Sequence, residues 1–321
     1  GGTPSLFPPA AIGRLLDGIR DRCRCAPALE ITLEANPGTI ERGRFADYAA
    51  AGVNRVSLGA QSFDAGALEG LGRIHGAADT DRAVAELESA GIANFNIDLM
   101  YGLPGQDVVA ALADLEHALA LAPTHLSHYQ LTLEPGTVFY HRPPQLPDDD
   151  TVIEMQLECQ ERLADAGFDQ YEVSAYARPD QCCRHNLNYW RYGDYLGIGA
   201  GAHGKWTEPA GGRILRSERR RQPREYLAAA TADRRIERVA EIPATDRPFE
   251  FMLNVLRLLE AFDADAFESR TGLGIASIAG PLRRAVDLDL LAQPSAGRWQ
   301  VTNLGQRFLN DLQALFLPDR E

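Results

Sequence analysis

The chain has 321 residues, 45% of them hydrophobic, enough for one large domain and a small one. No apolar run approaches the ~20 residues of a spanning helix and nothing reads as a signal peptide, while five cysteines are too few for a disulfide scaffold, so no membrane span and a cytoplasmic location are expected. Asp+Glu 45 against Lys+Arg 32 gives a formal net charge of −13, which disfavours a general nucleic-acid binder; Lys205 is the only lysine, which we read as compositional bias.

The chain opens on Gly1-Gly2-Thr3-Pro4, with no initiator Met, as if inside a motif. Ala28 to Glu34 is a predicted strand, followed by Asn36-Pro37-Gly38 and a helical stretch from Glu41 to Ala51. Arg55 to Ala60 and Phe95 to Met100 are the next strands, the second closed by Gly102-Leu103-Pro104-Gly105. Asp107 to Leu121 reads as a helix, His125 to Leu133 as a fourth strand, Asp149 to Ala166 as a helix and Tyr171 to Tyr176 as a further strand. Apolar strands alternating with amphipathic helices imply an α/β fold on a parallel sheet, without deciding between an open sheet and a partial or closed barrel. Gly193 to Gly204 is a small-residue run that permits close backbone approach. Residues 205–245 read as a connector punctuated by Arg and Pro. Beyond it, helices over 249–261, 263–270, 275–289 and 303–316 with a hairpin near Trp299 and Val301 suggest a small, mainly helical winged-helix-like domain over 246–321.

Side chains at the C-terminal ends of parallel strands surround the ligand in such folds. Here those ends carry Glu34, Gln61, Asp98 and Thr132. Polar groups converging on one mouth suggest a ligand rich in donors, such as ribose hydroxyls or an ammonium group. Arg73 either clamps a ligand carboxylate bidentately or pairs with Asp64 or Glu69. A second constellation is Cys183-Arg184-His185-Asn186-Leu187-Asn188-Tyr189-Trp190. His and Cys ligate haem iron and aromatic rings suit a macrocycle face, but the spacing alone equally fits a turn whose aromatics cover the sheet. His125 and His128 lie three apart on one strand, so they face opposite ways and do not form a joint metal site. Cys23-Arg24-Cys25 lacks the partner pair of a metal site, and Cys159 reads as core.

The opening Gly1-Gly2-Thr3-Pro4, Glu34-Ala35-Asn36-Pro37-Gly38, Gly59-Ala60-Gln61-Ser62-Phe63, Gly72-Arg73 and Asp98-Leu99-Met100-Tyr101-Gly102-Leu103-Pro104-Gly105 together resemble the radical SAM family of oxygen-independent coproporphyrinogen oxidases and their relatives. His185-Asn186-Leu187-Asn188-Tyr189-Trp190 and the run Gly197 to Gly204 resemble its haem-chaperone branch, HemW. The resemblance spans the chain. It implies a partial parallel (β/α) barrel over 1–204 and a HemN-like winged-helix domain over 246–321. It also implies S-adenosylmethionine (SAM) at Gly1, Gly2, Thr3, Glu34, Gln61, Arg73 and Asp98, with Thr132 and His203 at cavity positions where the residue types differ. A [4Fe-4S] cluster is implied as well, but its Cys-x-x-x-Cys-x-x-Cys motif is absent and is expected ahead of Gly1, so the chain reads as N-terminally truncated.

The resemblance favours a haem chaperone that passes haem to acceptor proteins. The alternative is a coproporphyrinogen dehydrogenase that decarboxylates its substrate by radical chemistry. His185 is the candidate axial ligand, with Cys183 and His203 as competitors, and Arg184 and Arg191 are candidates to meet the propionates. A winged-helix DNA regulator is disfavoured, since residues 246–321 carry eight arginines against eleven acids. A homodimer is a possible assembly.

Overall fold

The computed structural model describes residues 3–38, 43–208 and 212–318. The chain divides into two compact units, one holding residues up to 170 with 174–182, the other 171–173 with everything from 183 onward.

The first unit is built on strands β1 (Thr32–Ala35), β2 (Arg55–Gln61), β3 (Phe95–Tyr101) and β4 (His125–Gln130), joined in that order by parallel pairing. The expected strand at 171–176 is instead two short ones, β5 (Asp169–Glu172) and β6 (Ala175–Ala177). Strand β6 pairs antiparallel with β4 and precedes β5 in the sheet. The sheet is open: among the described strands nothing joins β1 to the far edge.

Each strand alternates chemically, and the alternation decides the faces. Leu33, Val56, Leu58, Ile97, Leu99 and Leu126 are fully buried on one face. They form one core with Tyr48, Leu87, Leu115 and Leu163 from the covering helices. Each such side chain contributes about 1.5–3 kcal/mol on burial. The helices Ala65–Gly70, Val108–Ala120 and Asp149–Asp165 start at Asp64, Asp107 and Asp148, whose carboxylates accept from the backbone amide three residues on. Each cap stabilises its helix by about 1 kcal/mol. The opposite face of the sheet carries Glu34, Arg55, Ser57, Asn96, Asp98, His125, Ser127 and Tyr129. Pairing aligns Glu34 with Ser57, Ser57 with Asn96 and Asn96 with His125 in one transverse row.

Strand β1 begins at Thr32, later than the expected Ala28, because pairing starts only where Ile31 meets Asn54 and Arg55. Likewise β3 continues to Tyr101, so Asp98 sits in mid-strand and reaches the site because its side chain faces the polar side. Strand β4 stops at Gln130, leaving Thr132 beyond its end.

In the second unit, the stretch expected to be a connector contains most of an antiparallel sheet, β7 (His203–Thr207), β8 (Ile214–Arg219) and β9 (Ile236–Glu241). The run before β7 does approach backbone closely: a Cβ on Gly197 would lie 2.0 Å from the His203 carbonyl oxygen. Lys205 is buried, donating to Asp194 and to the Tyr192 and Gly193 carbonyls. Helices Arg247–Val255, Ala264–Thr271 and Ala279–Asp287 follow, with a small sheet in which β12 (Arg298–Val301) lies between β10 (Phe262–Asp263) and β11 (Leu291–Ser295). The last expected helix is two, Asn303–Arg307 and Leu309–Ala314, broken at Phe308. Phe251, Phe267, Leu282, Trp299 and Leu312 form their core.

Candidate functional site

The polar face of β1–β4 gathers the strand-end residues into one electrostatic neighbourhood. Asn96 is its hub. Its amide nitrogen donates to Asp98 Oδ1 at 2.7 Å and to Ser57 Oγ at 3.0 Å. Its oxygen accepts from His125 Nδ1 at 2.7 Å and from Ser127 Oγ at 3.1 Å. That uses both donors and both lone pairs of the amide, so its orientation is fixed and the His125 proton lies on Nδ1. Ser57 Oγ also reaches Asp98 Oδ2 at 3.4 Å.

Gln61 closes β2 with a buried side chain and a φ of 71°, in the left-handed region a non-glycine residue rarely adopts. A register irregularity between Leu58 and Gln61 accompanies it. Its Oε1 accepts from the Tyr129 hydroxyl. The side chain folds back over Gly59, where a Cβ would meet Gln61 Nε2 at 3.0 Å and Asn36 Oδ1 at 3.3 Å. Asn36 in turn donates to Thr3 Oγ1 at 3.1 Å and lies 3.4 Å from an Arg73 guanidinium nitrogen.

Burial raises the Asp98 carboxyl above its ordinary range, against the hydrogen bonds from Asn96, Ser127 and Ser57 and the charge of Arg55. The Glu34 carboxyl is raised too, by desolvation and then by the Asp98 charge. Tyr129 is pushed up to about 12 by burial, and it feels Asp98, Arg73 and Glu34. His125 is lowered to about 3 by burial and by Arg55, so it is neutral. His128, on the apolar face, is lowered to about 4 by burial and stacks on Tyr101 at 4.7 Å. The two histidines point to opposite faces, as their spacing predicts. Carboxylates held above their ordinary range accept hydrogen bonds or a cation readily, which suits hydroxyls or an ammonium group.

The structure therefore brings Glu34, Gln61, Arg73 and Asp98 together, with Thr3 linked through Asn36. Gly1 and Gly2 lie outside the described residues. Thr132 is not joined to the cluster: it is exposed and bonds Glu134 at 2.9 Å. His203 lies in the second unit, exposed at the start of β7. Strand ends alone missed Arg55, Ser57, Asn96, Ser127 and Tyr129. The usable signal was period-two alternation, Arg55-Val56-Ser57 and Asn96-Ile97-Asp98, which puts every polar residue on one face.

In the second unit His185 is exposed on the helix Arg184–Trp190, and Cys183 is buried just before it. Tyr189 is exposed and lies 5.1 Å from the Tyr195 ring. The Arg257 guanidinium sits 4.4 Å over the Trp190 ring. Arg191, a candidate for propionates, is bound by both ends of its fork to Glu260, at 2.7 and 2.9 Å. Among the described residues no three His, Cys, Asp or Glu side chains are grouped as metal ligands. The five cysteines present do not fit a [4Fe-4S] cluster, whereas the polar face fits SAM.

Residues 1–118 match the model of the radical SAM superfamily, and residues 242–308 match the HemN C-terminal domain. The chain is 50% identical over 319 residues to the heme chaperone HemW of Escherichia coli, covering 99% of this chain and 83% of the relative. It is 46% identical over 319 residues to that of Haemophilus influenzae, with 99% and 82% covered. The solved coproporphyrinogen III oxidase HemN of Escherichia coli has the same fold: TM-score 0.79 at 22% identity, over 98% of this chain and 76% of that one. Sheet, polar face and matches together define a radical SAM protein, a class that implies SAM and a [4Fe-4S] cluster. Within that class, this chain belongs to the HemW family of haem chaperones.

Proposed function

We propose that this chain binds haem and passes it to acceptor proteins, with SAM held on the polar face of β1–β4. The observation that carries the reading is identity at half of all positions with a heme chaperone across 99% of the chain. Glu34 and Asp98 accept from the donors of SAM, Gln61 and Arg73 border the same mouth, and Thr3 is linked to it through Asn36. Gly1 and Gly2 are assigned by family resemblance. When bound, SAM brings ribose hydroxyls, an ammonium and a carboxylate to this face. His185 is the axial haem ligand, with Cys183 and His203 as rivals, and the site of action is the cytoplasm.

A haem titration followed in the Soret region, then transfer to an apo-haemoprotein, tests the function. Saturable binding and transfer are expected, without conversion of coproporphyrinogen when SAM and a reductant are supplied to protein loaded with its [4Fe-4S] cluster. Turnover of coproporphyrinogen instead would make the chain an oxidase. Loss of haem affinity in His185→Ala is expected; a loss confined to Cys183→Ala moves the ligand to the thiolate.

A further inference from the structure

Gln61 and Arg73 belong to one excursion of the chain, residues 61–76, between β2 and the helix Ala77–Ser89. The excursion starts under strain. Gln61 has a φ of 71°, a left-handed conformation that is unfavourable for any residue with a Cβ. Such a conformation persists only where the surroundings over-determine it.

A carboxylate from another element supplies that constraint. Asp114 lies on the helix Val108–Ala120 with only 6% of its surface exposed. Its Oδ2 accepts from the Ser62 hydroxyl at 2.6 Å and its Oδ1 from the Phe63 amide at 2.7 Å. Both bonds are short, as bonds to a carboxylate are. The Ser62 oxygen, itself fully buried, accepts from the Asp64 amide at 3.0 Å. The three residues after Gln61 are therefore fixed in one arrangement. Asp64 then caps the helix Ala65–Gly70, and that helix ends with the Arg73 amide donating to the Leu68 carbonyl at 2.9 Å. The buried His75 returns to the end of β2, its Nε2 lying 3.0 Å from the Ala60 carbonyl oxygen. Burying a carboxylate on a covering helix is costly, and an apolar side chain would fill the place without that cost. What the carboxylate adds is two acceptors that meet a hydroxyl and an amide at once.

We propose that Asp114 is a positioning residue of the ligand face. By clamping Ser62 and Phe63 it holds Gln61 left-handed and aims the Gln61 amide at Tyr129 and the bound ligand. The inference rests on the proposed function for the identity of that ligand, SAM; the clamp itself belongs to the ligand-free chain.

Two double-variant cycles test it. The first compares denaturant midpoints of ligand-free wild type, Asp114→Ala, Tyr129→Phe and the double variant. No bond joins Asp114 to Tyr129, so an Asp114 that only supports its own helix gives additive shifts. The clamp gives a double-variant shift smaller than the sum, because either change removes the Tyr129–Gln61 bond. The second cycle measures SAM by calorimetry in cluster-loaded protein, with Asp114→Ala, Gln61→Ala and both. Each single change is expected to weaken SAM about tenfold, with losses that overlap in the double variant. Asp114→Asn, which keeps an acceptor for the Phe63 amide, is expected to fall between wild type and Asp114→Ala. Should Asp114→Ala fail to fold, Ser62→Ala, which removes only the hydroxyl arm of the clamp, takes its place in both cycles. Additive shifts in the first cycle overturn the proposal, as does full SAM affinity in Asp114→Ala beside weakened affinity in Gln61→Ala. Unchanged SAM affinity in both Gln61→Ala and Asp98→Asn instead removes SAM from the face, and the first cycle still decides the clamp.

Discussion

Asp98 accepts hydrogen bonds from Asn96 and Ser57 and still has its carboxyl raised, because burial outweighs them. The sign of its contribution follows from that. A carboxyl whose folded pKa lies above the unfolded value near 3.9 stabilises the fold at low pH, and that contribution is lost as pH rises through the folded pKa. Above that folded pKa the ionised Asp98 costs stability. Asp98→Asn is expected to raise the melting temperature of the ligand-free protein by about 2 °C or more, and to weaken SAM roughly ten- to a hundredfold by calorimetry. His125 and His128 work in the opposite direction. Their folded values of about 3 and about 4 lie below the unfolded value near 6.5. Their stability is complete above pH 6.5 and falls as pH drops toward 4. His128→Gln is expected to flatten that acid limb by about 1.4 kcal/mol per pH unit, read from denaturant melts between pH 4.5 and 6.5.

At the scale of the element, β2 combines the needs of core and site. Val56, Leu58 and Ala60 are buried in the core, while Arg55, Ser57 and Gln61 carry the polar face. The left-handed Gln61 ends the strand and turns its amide back to Tyr129, and Gly59 leaves the space for it. Gly59→Ala is expected to displace Gln61 and Asn36, destabilising by about 1–3 kcal/mol and weakening SAM, with the melting temperature and calorimetry as measurements. The helix Asn303–Arg307 has a stricter requirement. A Cβ at Gly305 would lie 2.1 Å from the Leu290 carbonyl oxygen, which is backbone and does not rotate aside. Gly305→Ala is expected to unfold the second unit at lower denaturant than the wild type, by about 1–3 kcal/mol.

Across the whole molecule the charge is −13, and no described helix is long and apolar enough to cross a membrane. The excess of acids extends into the C-terminal helices with their small sheet, a shape that elsewhere meets DNA. Counterion release needs a basic surface to neutralise phosphates, and this chain supplies none in excess. Duplex DNA is expected to give no saturable fluorescence-anisotropy signal at about 0.15 M salt; a salt-sensitive isotherm would contradict that. The face proposed for SAM lies in the first unit and His185, the proposed haem ligand, in the second. Haem binding that survives loss of SAM affinity in Asp98→Asn would show that the two units act independently.

Sequence alone determined the class of fold, because alternating apolar strands and amphipathic helices have few solutions other than a parallel sheet. It also marked Glu34, Gln61 and Asp98, since polar side chains among apolar strand residues need a reason to be there. What it left undecided required pairing partners. Asn96 becomes a hub only when register sets it beside Ser57 and His125, residues 39 and 29 positions away in the chain. Arg55 gains its place only when the fold buries it on the polar face, within electrostatic reach of Glu34 and Asp98. Residues 205–245 look like a linker because their strands are short and rich in charge, and only hydrogen bonding across β7, β8 and β9 turns them into a sheet. Thr132 had the right spacing but lies beyond the last ladder bond of β4, where its hydroxyl turns to Glu134. Local pattern is written in neighbouring residues; burial and partnership depend on contacts distant in the chain, and those the tertiary structure decided.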